Sequence, residues 1–280
     1  MSAAQLFENA VKTYNIWYKL FDKDYYTMQA YDLFVKAKNK YIVSKNNDRI
    51  TSCYEWMIKC RCEVINNFYC DDLGTIYDDY AFFLFNNHEI DKAMVFFDKA
   101  IDIYYDHGYF PKIIKIKELL ADYYRKQNES KTAIKLYNEL KDLYSLQNQT
   151  RYCTNYRINK ILFELYIKTD NFLGASQIYD ISNLNDEMIN KFKYDELITS
   201  TVLCFICIDT ILAKRRLADF TNKFPSFTSK EQYSFLVNVI ECVENNDIEP
   251  LNSINKQKLD PVDQLLIDKI KGDIKDFSYV

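Results

Sequence analysis

The chain has 280 residues, 36 Lys+Arg against 40 Asp+Glu and a formal net charge of -4, with 48% hydrophobic residues and only four Gly and four Pro. That is enough apolar material for one or two ordinary cores and too little punctuation for a disordered or turn-rich protein. Its longest aliphatic run, Val202 to Ile208, ends at Asp209, far short of the ~20 residues a membrane-spanning helix needs.

Helical periodicity runs almost throughout. Leu6, Ala10, Tyr14 and Tyr18 step by four and give the first helix one apolar face. Its expected end carries Ile16-Trp17-Tyr18-Lys19-Leu20-Phe21, where Trp17 and Phe21 share a face; helix packing explains that spacing, and an aromatic tip in a lipid headgroup layer is the alternative. A second helix near Tyr26 to Lys40 places Ala30, Phe34 and Ala37 together, and Ser44 to Asp48 ends it. Helices then follow at about 50–67, 72–86, 89–106, 111–126, 129–146, 151–168 and 171–181.

Three stretches in this series read alike. Asn87 to Phe97, Asn128 to Tyr137 and Asp170 to Tyr179 are each a polar turn, then an alanine, then an aromatic. The alanines fall at 93, 133 and 175, spacings of 40 and 42, and a repeat of that length signals stacked helix pairs. A short side chain there lets paired helices approach closely. Between two of these helices, Gly108 suits the left-handed residue after a helix end and Pro111 the first turn of the next.

Beyond residue 182 the repeat loosens. Leu203 to Lys214 is apolar nearly all round and reads as the central helix of a terminal bundle. Phe224 to Ser229 reads as a turn ending in a capping serine, followed by helices near 230–245 and 261–276. The expected fold is therefore all-α: a tetratricopeptide-like helical-hairpin superhelix, a right-handed solenoid, with a C-terminal helical bundle. Residues 1–182 would hold the antiparallel hairpins and 183–280 the bundle, packed continuously as one rigid body. A solenoid presents an extended concave surface, which favours holding a partner over chemistry.

No catalytic constellation competes with that reading. The glycines at 74, 108, 174 and 272 are too far apart for a phosphate-cradling loop. His88 and His107 both fall in expected turns, and Cys204-x-x-Cys207 lacks the further ligands a zinc site wants. The eight cysteines (53, 60, 62, 70, 153, 204, 207 and 242) sit in apolar periodic runs without a preceding secretory signal, as reduced core thiols of a cytoplasmic protein would. Neither enzyme activity, cofactor nor metal is expected.

Charge is unevenly spread. Residues 111–170 carry 12 Lys+Arg against 7 Asp+Glu, whereas 231–280 carry 5 against 10. Solvated helix faces account for such bias, and so do two partners of opposite sign. Lys112, Lys115, Lys117, Arg125, Lys126, Arg151, Arg157 and Lys160 would form one basic strip if successive hairpins align their faces. The pI of about 5.4 and the lack of an interleaved stacking platform argue against nucleic acid.

Three segments carry a family resemblance: Lys99 to Phe110, Leu203 to Lys214, and Phe224 to Glu231. Together they resemble the soluble NSF attachment proteins, the alpha type in particular, over about 90–275 and more patchily over 1–80. The resemblance implies an adaptor, monomeric when free and peripheral on the cytosolic face of membranes. Several copies would coat a syntaxin-like four-helix SNARE bundle and recruit the NSF-type hexameric AAA ATPase that disassembles it with ATP during vesicle fusion and intracellular protein transport. Lys115 and Arg157 stand at basic SNARE-contacting positions, with Lys112 and Lys160 beside them in the basic set, while Tyr109 replaces a basic residue. Asp209, Glu241 and Glu244 stand at acidic ATPase-facing positions and Asn245 replaces a further acid. Trp17, Tyr18, Leu20 and Phe21 align with a membrane-touching loop. The C-terminus departs most: Tyr279 stands near the family's penultimate leucine. A divergent regulator or mimic that keeps one partner, or a generic helical-repeat scaffold, remains the competing reading.

Overall fold

A computed structural model of the chain describes residues 1–16, 19–64, 70–146, 152–179, 194–254 and 259–277. Among these, every regular element is helical: fourteen α-helices and one 3-10 helix. Packing divides the chain into two compact units, Met1–Ile116 and Lys117–Val280, the division falling inside the sixth helix. The boundary expected at 182/183 lies outside the described residues.

In the first unit α1 (Ala3–Tyr14) opens with a reciprocal cap, in which the Ser2 hydroxyl accepts from the Gln5 amide and the Gln5 side chain accepts from the Ser2 amide. Leu6, Ala10 and Tyr14 are its buried face, as the four-residue step requires. The helix stops at Tyr14, with Asn15 as its C-cap, short of the end expected at Ile16 to Phe21. Residues from Lys19 instead open α2 (Lys19–Val43), which kinks at Asp22 (φ -154°, ψ 63°). The Asp22 carboxylate accepts from the Tyr25 amide and so restarts the helix near the sequence-based boundary. Ala30, Phe34 and Ala37 are fully buried. Then come α3 (Asn47–Glu63), α4 (Cys70–Asn86) and α5 (Ile90–Asp106), each packed on its predecessor.

The sixth helix, α6 (Phe110–Lys126), leads into the second unit with α7 (Ser130–Leu146), α8 (Tyr152–Lys168) and α9 (Phe172–Ile178). After these come α10 (Tyr194–Ile206), α11 (Thr210–Lys223), the 3-10 turn Pro225–Ser229, α12 (Glu231–Glu244), α13 (Glu249–Asn252) and α14 (Pro261–Phe277). Packed against α9, α11, α12 and α14, α10 is the centre of this group. Ile198, Val202, Leu203 and Cys204 on it are completely buried.

One turn design recurs through both units. After six helices the chain passes through a left-handed residue: Lys45, His88, Gly108, Asn128, Asp170 and Asn246, with φ between 51° and 70°. In each the amide after that residue returns to a carbonyl five positions back, as in Glu89 to Leu84, Tyr109 to Tyr104 and Glu129 to Tyr124. This satisfies the orphan carbonyls of the helix end. Gly108 announces the conformation in sequence and Asn128, Asp170 and Asn246 tolerate it, whereas Lys45 and His88 accept a backbone that costs most L-residues energy, because the hydrogen bonds and the next helix hold it.

Ala93, Ala133 and Ala175 are each fully buried, and each donates its amide to the carbonyl of the residue preceding its helix. The aromatics that follow, Phe97, Tyr137 and Tyr179, are buried with them. Ala213 repeats the arrangement behind Asp209, 38 residues after Ala175. That corrects one expectation. Leu203 to Lys214 is not one central helix but the last turn of α10, a tight break, and the start of α11. The break arises because the Asp209 carboxylate captures the Ile211 amide at 2.7 Å, starting a new helix despite the apolar run. Ser229 also differs from expectation: its hydroxyl donates to the Ser226 carbonyl, and Lys230 precedes α12 without a side-chain cap.

Candidate functional site

The basic residues fall into two groups with different surroundings. In the first unit Lys112 and Lys115 project from the exposed side of α6, while Ile113, Ile114 and Ile116 fill the core. The Lys112 ammonium lies 4.6 Å from the ring centre of Tyr104 and 5.6 Å from that of Tyr109, and donates to Thr75 Oγ1 at 3.1 Å. The Lys115 ammonium lies 5.0 Å from the Phe82 ring centre. Aromatic faces attract these cations without neutralising them. No described carboxylate pairs with either lysine within 4.0 Å. Asp78, half-buried on α4, accepts from the Tyr104 hydroxyl at 3.4 Å and pairs with neither lysine. Burial pushes its carboxyl above the usual range, and Lys115 and Lys112 draw it back.

In the second unit the cations are paired. Arg157 Nη2 donates to Glu118 Oε1, which also accepts from the Tyr144 hydroxyl at 3.1 Å. Lys160 Nζ donates to Asp260 Oδ2 at 3.1 Å, a bond that raises the pKa of the lysine. The largely buried Lys117 pairs with Glu139. Arg125 approaches Asp122 at 4.0 Å, whereas Lys126 is exposed; Arg151 lies outside the described residues.

The acidic candidates gather at one end of the α11–α12 pair. Asp209 caps α11 and remains exposed. Glu244, in the last turn of α12, holds Lys214 of α11 with both oxygens, at 2.7 and 2.8 Å. Glu241 is exposed one turn earlier, and Asn245 is the C-cap. Beside Asp209, Ile211 is 75% exposed and Ile208 41% exposed, so the carboxylates are edged by apolar side chains. Tyr279 lies outside the described residues, as do Trp17 and Tyr18 and the side chains of Leu20 and Phe21.

Elsewhere in this unit Asp263 is buried, accepting from the Ser200 hydroxyl at 2.6 Å. Burial pushes its pKa up to about 7; the Ser200 bond and Lys160 oppose that rise, and Asp260 and Glu196 add to it. Cys53, Cys60, Cys204 and Cys242 are buried thiols, as expected, but Cys62 is exposed because it faces outward on α3. His88 and His107 occupy inter-helix turns. Among the described residues no group of three or more His, Cys, Asp or Glu is placed to hold a metal, and no helix is long and apolar enough to cross a membrane.

With this geometry, similarity to known proteins becomes specific. The family model for soluble NSF attachment protein, SNAP, matches residues 1–275. The chain belongs to this family. Among SNAP relatives it is 24% identical over 225 residues to a probable vesicular-fusion protein sec17 homolog of Neurospora crassa, covering 79% of this chain and 75% of that one. It is 22% identical to the beta-soluble NSF attachment protein of Bos taurus, over 82% and 76% of the two chains. To the human alpha-soluble NSF attachment protein it is 21% identical, over 79% and 75%. SNAP-family proteins are adaptors rather than enzymes, consistent with the separated charged surfaces.

Sequence reasoning located the cations and missed what holds them. For one pair a signal existed. Glu118 and Arg157 are 39 residues apart, nearly one repeat, and residues at that offset meet on neighbouring hairpins; Asn47 and Asn87, 40 apart, likewise share a hydrogen bond of 2.8 Å. Asp260 lies 100 residues from Lys160 and carried no such signal.

Proposed function

We propose that this SNAP-family protein is the adaptor between a SNARE four-helix bundle and an NSF-type hexameric AAA ATPase. Lys112, Lys115, Arg157 and Lys160 grip the acidic surface of the bundle. Asp209, Glu241 and Glu244 face a basic domain of the ATPase, with Tyr279 contributing at the C-terminus. Trp17, Tyr18, Leu20 and Phe21 touch the cytosolic face of the membrane. The observation that carries this reading is the family match over 275 of 280 residues. The charge distribution supports it: exposed cations on α6 and α8, exposed carboxylates at the start of α11 and the end of α12.

The physical logic is that of many weak contacts. A single exposed ion pair is worth at most about 1 kcal/mol. Several on each of several copies add up to a firm but reversible grip, and complementary potentials fix its orientation. The ATPase supplies the energy; this chain supplies geometry.

Replacing Lys115 and Arg157 together by glutamate should abolish binding to a purified SNARE complex while leaving helicity by circular dichroism intact. Unchanged binding rejects the proposed surface. A second reading is favoured by Tyr109 and Asn245, which stand where the resemblance implies charged residues: a regulator that holds the bundle without driving the ATPase. Binding to SNAREs without stimulation of ATP hydrolysis selects it.

A further inference from the structure

The cations proposed to grip the bundle in the second unit already have carboxylate partners within the chain. Glu118 is the one whose second partner, the Tyr144 hydroxyl, binds the same oxygen as the cation. Its side chain is 32% exposed, its Oε1 accepts from both Arg157 and Tyr144, and Arg157 itself is 51% exposed. The Tyr144 hydroxyl is a poor acid, its pKa pushed up to about 12 by burial and by Glu118, so it remains a donor throughout the neutral range. Glu118 therefore keeps one hydrogen bond when Arg157 moves away. A carboxylate fixed independently of its cation can be displaced from that cation without being stranded.

We propose that Glu118 is a specificity-determining residue, an internal competitor that occupies the Arg157 guanidinium until an acidic partner replaces it. The inference rests on the SNARE-binding role proposed above. Exchanging one carboxylate for another yields little per contact, because the guanidinium is charge-paired before and after. An isolated acidic side chain thus gains almost nothing, whereas a surface presenting several carboxylates at the right spacing gains several small increments together. Discrimination against stray anions follows from the competition.

The test compares Glu118→Gln, Arg157→Gln, the double variant and Glu129→Gln by equilibrium binding to a purified SNARE complex and to poly-L-glutamate, at low and high salt. Glu129 is exposed, so Glu129→Gln changes net charge equally without touching Arg157. Glutamine at 118 still accepts from Tyr144. Glu118→Gln should tighten binding about two- to fivefold at low salt, with the gain fading at high salt. It should tighten poly-L-glutamate binding proportionally more than binding of the SNARE complex, which narrows the preference for carboxylates fixed at the bundle's spacing over carboxylates on a flexible chain. The double variant should show no gain over Arg157→Gln. No gain from Glu118→Gln on either probe, or an equal gain from Glu129→Gln, overturns the proposal. If the wild type ignores the SNARE complex, the adaptor reading fails, and poly-L-glutamate still decides the competition at Arg157.

Discussion

Two regions of this chain carry clustered cations, and they hold them in opposite ways. Lys112 and Lys115 rest on the rings of Tyr104, Tyr109 and Phe82. Arg157, Lys160 and Lys117 are each tied to a carboxylate, Glu118, Asp260 or Glu139. A ring orients an ammonium and leaves its charge for a partner; a carboxylate orients it and cancels most of its field. Similar sequence composition thus produces one surface that is open to anions and another that must be unlocked.

The largest effect should come from removing the aromatic bed. Tyr104 is fully buried, and its ring supports Lys112. Tyr104→Ala should destabilise the protein by about 3–5 kcal/mol through the cavity it leaves, measured by urea unfolding. A loss below about 1 kcal/mol would mean that the ring is not part of the core.

The carboxylate-rich region should respond to pH near neutrality through its most deeply buried carboxyl. Asp263 has its pKa raised to about 7 and is grouped with Asp260, Glu196, Ser200 and Lys160. A carboxyl whose folded pKa is raised favours the folded state while protonated. Its contribution is fully present below the unfolded value near 4 and is lost as pH rises through about 7. Asp263→Asn should therefore match the wild type near pH 4 and exceed it by on the order of 2 kcal/mol at pH 8. Thermal unfolding at the two pH values reads the difference, and parallel curves would refute it.

The smallest stability effect belongs to Arg157. Because its pair with Glu118 is half-exposed, Arg157→Gln should change unfolding free energy by less than about 1 kcal/mol. A larger loss in calorimetry would make the pair a structural tie rather than an occupied binding group.

Much of this was legible in the sequence, for reasons that differ by feature. Ala93, Ala133 and Ala175 mark close helix contacts because only a short side chain fits there, and the structure buries all three. Ala213 follows the same rule but was hidden by the apolar run from Leu203, in which hydrophobicity masks a three-residue break that one carboxylate creates. The turns at Lys45 and His88 were legible as turns but not as left-handed ones, since their conformation is imposed by hydrogen bonds rather than preferred by the residue. The cations at 112, 115, 157 and 160 were visible as charge. Their different environments depend on contacts between helices, and only the repeat-length offset of Glu118 and Arg157 could have revealed one of them.

The adaptor role is tested most directly by mixing this protein with an assembled SNARE complex, the hexameric ATPase and ATP, and following separation of the four helices by fluorescence. Disassembly well above the level of the ATPase alone, lost in the Lys115→Glu, Arg157→Glu variant, is the expected result. Disassembly no faster than the ATPase-only control would contradict the adaptor role.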